Sequence, residues 1–373
     1  SGVWPPPDCL RRPGASAMLV DRSRCDLMNN YSYLSPRARQ WIGYWLLVVA
    51  AFVGAMTVIG GVTRLTESGL SMVEWRPLVG LLPPWTESEW LRVFDLYRQT
   101  PEYQKINSGM ALEEFKEIFW WEFIHRVWGR LIGLVFAVPL LVFWLKGWIK
   151  PPLSRRLLVL LVLGGLQGLI GWWMVKSGLI DRPDVSHYRL AVHLSMAFLI
   201  ASLLIWTALG ILKFRPAPSS KGLITLAQVL LCWVCLVIVF GAFVAGTDAG
   251  MVYTDFPLMN GRFLAEDIWA LDPWWLNPIE NRSTIQFIHR WAAILAAIAT
   301  LYLWLRIRDE APGARLPAAF MALAVACQVA LGVATLVSVV WIPLAASHQV
   351  MGLFLFISIV WTVWTLRGDP SLR

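Results

Sequence analysis

Apolar residues occur in this chain as long uninterrupted blocks rather than at the short periods of a soluble helix or strand. Eight such blocks, each of about 20 residues, alternate with polar segments. A helix of that length spans the hydrocarbon core of a bilayer. We therefore predict eight membrane-spanning helices. The predicted spans cover residues 41–62, 120–145, 155–176, 188–212, 222–246, 285–305, 316–340 and 346–366.

The composition supports this membrane assignment. The chain is 57% hydrophobic and only 15% charged, with a mean hydropathy of +0.59, and soluble domains are less apolar than this. Several of its 23 tryptophans lie at the ends of apolar blocks, where aromatic side chains favour the membrane interface. The sequence predicts an all-α polytopic membrane protein whose surroundings are a lipid bilayer.

The positive charges indicate the orientation of the chain. A net charge of +8 could suggest a nucleic-acid partner, but 18 of the 32 Lys and Arg residues fall in the two terminal segments and in short loops. The long segments 63–119 and 247–284 are poor in basic residues. Positively charged loops stay on the inner side of a membrane. We predict that both termini lie inside, that the long loops lie outside, and that nucleic acid is not a partner.

An internal duplication divides the chain. The motif Phe-Ile-His-Arg occurs at Phe123–Arg126 and again at Phe287–Arg290, 164 residues later. The segment before it aligns at an offset of 181, so the first long loop has about 17 additional residues. This predicts a parallel repeat of two four-helix bundles, at 41–212 and 213–373, after a polar, disordered tail at 1–40. The aligned pairs include Gly60 and Gly241, Thr66 and Thr247, Glu67 and Asp248, Gly69 and Gly250, Gln167 and Gln328, and His193 and His348.

Four of the five histidines follow this repeat. His125 and His193 lie near the outer ends of the second and fourth spans, and His289 and His348 lie at the matching places in the second half. Two imidazoles that face each other across a bundle can occupy both axial positions of a haem iron. Zinc or copper is a weaker interpretation because no carboxylate or thiol joins the histidines in both halves. We expect His187 to be a solvated loop residue or an interfacial residue.

The glycines near the histidines and the cysteines of the fifth span each allow two interpretations. Glycines near the histidines could admit a flat macrocycle or serve ordinary helix packing; they are Gly129, Gly133, Gly164, Gly165 and Gly168. Cys232 and Cys235 share one face of the fifth span. They could form a redox or metal site, or act as small buried hydrophobic residues.

The two halves differ in their candidate chemistry. Glu122 lies three residues before His125, whereas Gln286 occupies that place before His289. A carboxylate beside the site in only one half is a candidate for proton transfer, and a water-facing helix cap is the structural alternative. Three arginines flank the motifs and could contact haem propionates or anchor in the head groups. They are Arg126, Arg130 and Arg290.

These motifs together resemble haem A synthase, in the branch shared by alphaproteobacteria and mitochondria. The resemblance runs from about residue 41 to 366. The segments that carry it are Gly60–Ser71, Glu122–Arg130, Met174–Gly178, Tyr188–His193, Gly241–Gly250 and Leu344–His348.

The resemblance implies oxidation of the C8 methyl group of haem O to a formyl group, which gives haem A for cytochrome c oxidase. It implies that His125 and His193 flank the iron of the substrate haem and that His289 and His348 ligate a resident haem B. Glu122 matches the family's functional glutamate. The implied location is a bacterial or mitochondrial inner membrane, with the haem sites near the outer face. The implied partners are an electron donor, haem O synthase and assembly factors of cytochrome c oxidase.

Two other functions fit part of the pattern. A dihaem b-type cytochrome would transfer electrons from a quinol, but such carriers usually hold haems at both membrane faces, and here all four histidines lie at one. A haem transporter would use the two halves as a rocking pair. A fold alone would not decide among these functions.

Overall fold

The computed structural model describes residues 31, 33–74, 82–151, 153–179, 183–212, 214, 216–217 and 219–367. Eight helices in these ranges are long and apolar enough to cross a membrane, which confirms the all-α polytopic fold. They are α1 (Pro36–Leu65), α2 (Leu112–Leu145), α3 (Leu153–Gly178), α4 (His187–Ile211), α5 (Lys221–Gly246), α6 (Arg282–Glu310), α7 (Arg315–Val337) and α8 (Ile342–Leu366). The disorder expected for residues 1–30 lies outside the described residues.

The first helix begins earlier than the hydrophobic pattern predicts. Ser35 caps it, because its Oγ accepts a hydrogen bond from the backbone N–H of Ala38 at 3.2 Å, and Pro36 fits the first helical turn. Before the cap, Tyr31 and Leu34 are buried in the main hydrophobic core. Part of the segment assigned to a polar tail is therefore packed structure.

The second helix also extends beyond its predicted start at residue 120. It begins at Leu112, where the Glu114 side chain accepts a hydrogen bond from the Ala111 N–H at 2.8 Å. Its additional turns are too polar and aromatic to read as part of an apolar span. They pack instead against the first long loop. A buried aromatic cluster forms there from Phe94, Tyr97, Phe115, Phe119 and Phe123.

Both long loops lie at the end of the bundle where the even-numbered helices begin, which we call the long-loop end. The first loop contains two short helices, Glu87–Arg98 and Pro101–Lys105. A capping box between Thr86 and Glu89 starts the former. The second loop contains the short helix Asn277–Glu280 and an isolated bridge between Met259 and Arg262. The loops are therefore folded structure rather than tethers.

The two sequence halves pack together through four central helices. α1 contacts α4 within the first half, and α5 contacts α8 within the second. Across the halves, α4 contacts α5, and α8 contacts both α1 and α4. The main core includes side chains of both halves. The repeat units therefore share one hydrophobic interior.

Polar contacts join the halves at two depths. The Gln349 Nε2 atom donates a hydrogen bond to the Thr57 carbonyl oxygen at 2.8 Å. A Cβ atom at Gly61 would lie only 2.9 Å from the Gln349 Oε1 atom, so a side chain there would have to displace the amide that bonds Thr57. At the long-loop end, Arg64 forms an ion pair with Asp248 at 3.0 Å.

Substitution of Gly61 by Val should separate α1 from α8. We expect a lower midpoint of thermal unfolding in detergent, equivalent to about 1–3 kcal/mol, because the new methyl groups meet a side chain packed against the backbone. Gly133→Val is the matched control, since a Cβ at Gly133 has no atom within 4 Å. Equal midpoints for the two variants would contradict the close packing at Gly61.

Candidate functional site

All four repeated histidines lie toward the long-loop end of the even-numbered helices. His193, His289 and His348 are about two turns from the starts of α4, α6 and α8. His125 is further along its helix because α2 begins in the first long loop. The four side chains are half-buried.

The structure brings these histidines together in two pairs, one in each half. His125 and His193 lie close enough to interact electrostatically. His289 and His348 do the same in the second half. These are the pairs that the repeat predicted from sequence.

Each imidazole rests against a glycine of the preceding helix. A Cβ atom at Gly60 would lie 3.3 Å from the His125 Cε1 atom, and one at Gly241 would lie 3.0 Å from that of His289. The fourth helix of each half repeats the contact. The separations there are 3.0 Å for Gly171 with His193 and 2.9 Å for Gly332 with His348. A larger residue at any of the four glycines would push on the ring.

The ring nitrogens differ in their hydrogen bonds. The His289 Nδ1 atom lies 3.1 Å from the Val237 carbonyl oxygen. Such a bond fixes the ring and leaves the opposite nitrogen free to act as a ligand. The Nδ1 atoms of His193 and His348 are buried without a hydrogen-bond partner in the described structure. Buried polar atoms without a partner are uncommon in proteins and mark positions that need an explanation.

Matched glutamines also reach the histidines of the fourth and eighth helices. The Gln167 Nε2 atom donates to the backbone carbonyl oxygen of His193 at 3.1 Å. The Gln328 Nε2 atom lies 3.4 Å from the Nε2 atom of His348. The duplication therefore includes the surroundings of the histidines as well as the histidines themselves.

Glu122 is buried beside the first pair and has hydrogen bonds to both carboxylate oxygens. Its Oε2 atom accepts from the Ser71 hydroxyl and from the Met72 N–H, each at 2.7 Å. Its Oε1 atom accepts from the Arg126 guanidinium, with the Nε atom at 3.0 Å. A carboxyl group that is 3% exposed needs such hydrogen-bond partners in the interior. The side chain is a fixed, buried group rather than a water-facing cap.

The arginine of each Phe-Ile-His-Arg motif binds the loop that follows the preceding helix. Arg126 donates from Nη2 to the Met72 carbonyl oxygen at 2.7 Å and from Nη1 to that of Glu74 at 3.0 Å. Arg290 donates in the same way to the carbonyl oxygens of Tyr253 and Asp255, at 3.4 and 3.0 Å. These acceptors correspond at the offset of 181. The two arginines are duplicated loop clamps.

The motif and its surroundings match a known family over most of the chain. Residues 43–360 match the COX15-CtaA family, described as cytochrome oxidase assembly protein. The chain belongs to this family.

Relatives with high identity carry the name heme A synthase. The protein of Rhodospirillum centenum is 50% identical over 343 residues, which cover 91% of this chain and 92% of the relative. The proteins of Nitrosospira multiformis and Parvibaculum lavamentivorans are 46% and 47% identical, over 87% of this chain in each case. The alignments cover 93% and 94% of those two relatives.

Around the site, the structure contradicts the predictions for His187 and for the two cysteines and leaves the prediction for the arginines untested. His187 is buried rather than solvated, because its Nε2 atom bonds the Ile279 carbonyl oxygen at 2.9 Å. Cys232 and Cys235 are free and exposed on α5, so the expectation of burial is wrong for both. A propionate contact stays a prediction for the arginines, and the donors of Arg126 and Arg290 already serve loop carbonyls.

Sequence reasoning missed the glycines that contact the imidazoles. It singled out Gly133, Gly164, Gly165 and Gly168, where a Cβ would have no atom within 4 Å. The repeat could have identified two of these glycines. The offset of 161 that aligns Gln167 with Gln328 also aligns Gly171 with Gly332. The alignment had already paired Glu67 with Asp248, and the structure adds that both residues have φ near +52°.

Replacement of Arg290 by Gln should loosen the second long loop. The guanidinium binds backbone carbonyl oxygens of Asp255, Pro257 and Leu258, and Gln is too short to reach them. We expect trypsin to cleave after Arg262 at least several-fold faster than in the parent protein, as followed by mass spectrometry. The exposed Arg308→Gln serves as the control. An unchanged cleavage rate would contradict the clamp.

Proposed function

We propose that this protein is a haem A synthase, which oxidises a methyl group of haem O to a formyl group. The observation that carries the proposal is the combination of two matched histidine pairs with one buried carboxylate beside only the first pair. The names of its relatives agree with this activity. The site with the carboxylate is suited to chemistry, and the site without it is suited to electron transfer.

The residues of both pairs fit a haem. Two imidazoles from facing helices can provide both axial ligands. Glycine behind each ring lets the helices approach closely, and the bond from the His289 Nδ1 atom to Val237 orients that ring as in other ligating histidines. The buried Nδ1 atoms of His193 and His348 are polar groups that a purely structural role leaves unexplained. These four observations support haem at both pairs.

We assign the resident haem B to His289 and His348 and the substrate haem O to His125 and His193. When bound, haem B supplies one-electron transfer. In the second half α6 and α7 pack extensively, whereas α2 and α3 contact each other far less. A closed bundle suits a permanently held group, and a more open one suits a substrate that must enter and leave.

We propose Glu122 as the proton acceptor beside the substrate. Conversion of a methyl group to a formyl group breaks two C–H bonds, and a base beside the methyl group can accept a proton from the substrate. The carboxylate is held by Ser71, Met72 and Arg126, and the corresponding Gln286 of the second half cannot accept a proton at neutral pH. His125, one helical turn further along α2, orients the substrate.

The charge distribution supports an orientation with both termini on the cytoplasmic or matrix side and the histidines near the opposite face. An electron donor, haem O synthase and assembly factors of cytochrome c oxidase are the partners that this activity implies. The dihaem quinol cytochrome is less well supported, because its electron transfer has no use for a carboxylate at one pair only. The transporter would move haem without changing the porphyrin.

The haem content of the purified protein tests the function directly. After co-expression with haem O synthase, we expect haem B together with haem A or a hydroxylated haem O, separated by chromatography with mass detection. His289→Ala and His348→Ala should remove haem B. His125→Ala and His193→Ala should retain haem B but form no haem A. Haem B alone in the parent protein would favour an electron carrier, and a release of unchanged haem O would favour a transporter.

Substitution of Glu122 by Gln should abolish most of the oxidation while the fold persists. Gln can still bond the loop, as Gln286 does in the second half. Loss of a general base typically costs about 100-fold or more in rate. Haem A formation should fall accordingly, with haem B content unchanged. The matched control is Glu117→Gln, an exposed position on the same helix. A normal rate in Glu122→Gln would remove the assigned role of Glu122.

A further inference from the structure

A second buried carboxyl group interacts with Glu122 and belongs to the first long loop, which is about 17 residues longer than the second. Glu102 belongs to the short helix Pro101–Lys105 and is only 3% exposed. Its Oε2 atom is buried without a hydrogen-bond partner. An acidic side chain in this state is costly and uncommon in a purely structural role.

Glu102 lies near the proposed reaction site, because its partner Tyr97 belongs to the hydrophobic cluster that includes Phe119 and Phe123 of α2. The Tyr97 hydroxyl donates a hydrogen bond to the Glu102 carboxyl, and Asn107 Nδ2 in turn donates to the Tyr97 hydroxyl at 2.8 Å. Glu102 also interacts electrostatically with the buried Glu122 and with Glu67. Glu67 is exposed at the end of α1.

We infer that Glu102 relays protons between Glu122 and the solution at the long-loop end, with Glu67 as the exit. In the step that we assign to it, the O–H bond of the protonated Glu122 carboxyl breaks and its proton forms an O–H bond on the Glu102 carboxylate. That O–H bond then breaks as the proton passes toward Glu67, and no electrons move. Glu102 acts through Glu122 and does not touch the substrate. The inference rests on the proposed haem A synthase function.

The electrostatics of the loop suit this role. Burial is the main cause that raises the pKa of Glu102 to about 8; the Tyr97 hydroxyl opposes the rise, and the carboxylates of Glu122, Glu67 and Asp184 contribute to it. A group with this pKa changes its protonation state close to neutral pH, as a proton relay must. The Tyr97 hydroxyl itself has a raised pKa because it is buried, so it stays protonated as a donor.

The second half has no equivalent group at this place. Its loop is shorter, and the Asp248 carboxylate that corresponds to Glu67 is bound by Arg64 and lies near Arg282. The long-loop helices Glu87–Arg98 and Pro101–Lys105 pack in a hydrophobic cluster of the first half that includes Phe119 and Phe123, the neighbours of Glu122 in α2. The additional loop and the single buried carboxylate of α2 therefore occur together, as a proton path for one site requires.

Glu102→Gln tests the relay without removing the fold, since the amide resembles the protonated acid. In membranes co-expressing haem O synthase, the parent rate of haem A formation should rise with pH up to about 8, where Glu102 becomes a carboxylate. We expect Glu102→Gln to lose this rise and to form haem A at least ten-fold more slowly. Tyr97→Phe should move the rise to higher pH, because a hydrogen bond that favours the carboxylate is gone.

Infrared spectroscopy of the purified full-length protein supplies a readout that is independent of turnover. The carbonyl band of a protonated buried carboxyl should disappear as the pH rises through about 8, and this band should be absent from Glu102→Gln. The exposed Asp95→Asn is the matched control, and it should keep both the band and the parent rate. Haem B content should be the same in all variants.

The outcomes separate the relay from the function that it serves. Parent-like rates at every pH in Glu102→Gln, or an unchanged infrared band, would overturn the relay while leaving the synthase intact. A parent protein that forms no haem A would overturn the proposed function. In that case the band would still report whether Glu102 titrates near neutral pH. Restoration of a pH-dependent rate by Glu102→Asp would support proton transfer over packing.

Discussion

The close approach of glycine backbone to imidazole rings fixes the helix spacing on which both halves of this molecule depend. In an apolar bundle a histidine needs room for its ring and a partner for its nitrogens. Glycine provides the room at Gly60, Gly171, Gly241 and Gly332, where a Cβ would lie 2.9–3.3 Å from a ring carbon. The same approach holds each even-numbered helix against the helix before it, and the histidines of these helices lie in pairs.

The loops depend in turn on the helices that carry the histidines. Arg126 and Arg290 follow directly after His125 and His289, and each binds the carbonyl oxygens of a long loop. The motif therefore performs two tasks with neighbouring residues, since the histidine faces the bundle and the arginine holds the loop above it. This coupling explains why the loops are folded structure at the end of the bundle where the proposed chemistry occurs.

The duplication makes the differences between the halves informative. Equivalent residues build equivalent scaffolds, so a charged group present in only one copy stands out against its counterpart. Glu122 occupies the position that Gln286 has in the second half. The first loop contains two short helices, and Glu102 belongs to the second of them. Gln349 makes a polar contact to α1 in the first half, whereas its counterpart in the repeat is Leu194. The two copies thus share a scaffold and differ in the acidic groups that they place on it.

The sequence by itself determined the eight spans, the repeat and the four histidines. Each can be recognised from local composition or from the constant spacing between the two repeats. A span needs only enough consecutive apolar residues, and this signal survives any tertiary arrangement. Only the tertiary structure decided what each polar side chain contacts. The glycines behind the rings, the loop carbonyls bound by Arg126 and the burial of Glu102 and His187 depend on contacts between residues far apart in the chain. Helix ends were misplaced for the same reason, since caps at Ser35 and Ala111 extend helices into sequence too polar to be read as membrane.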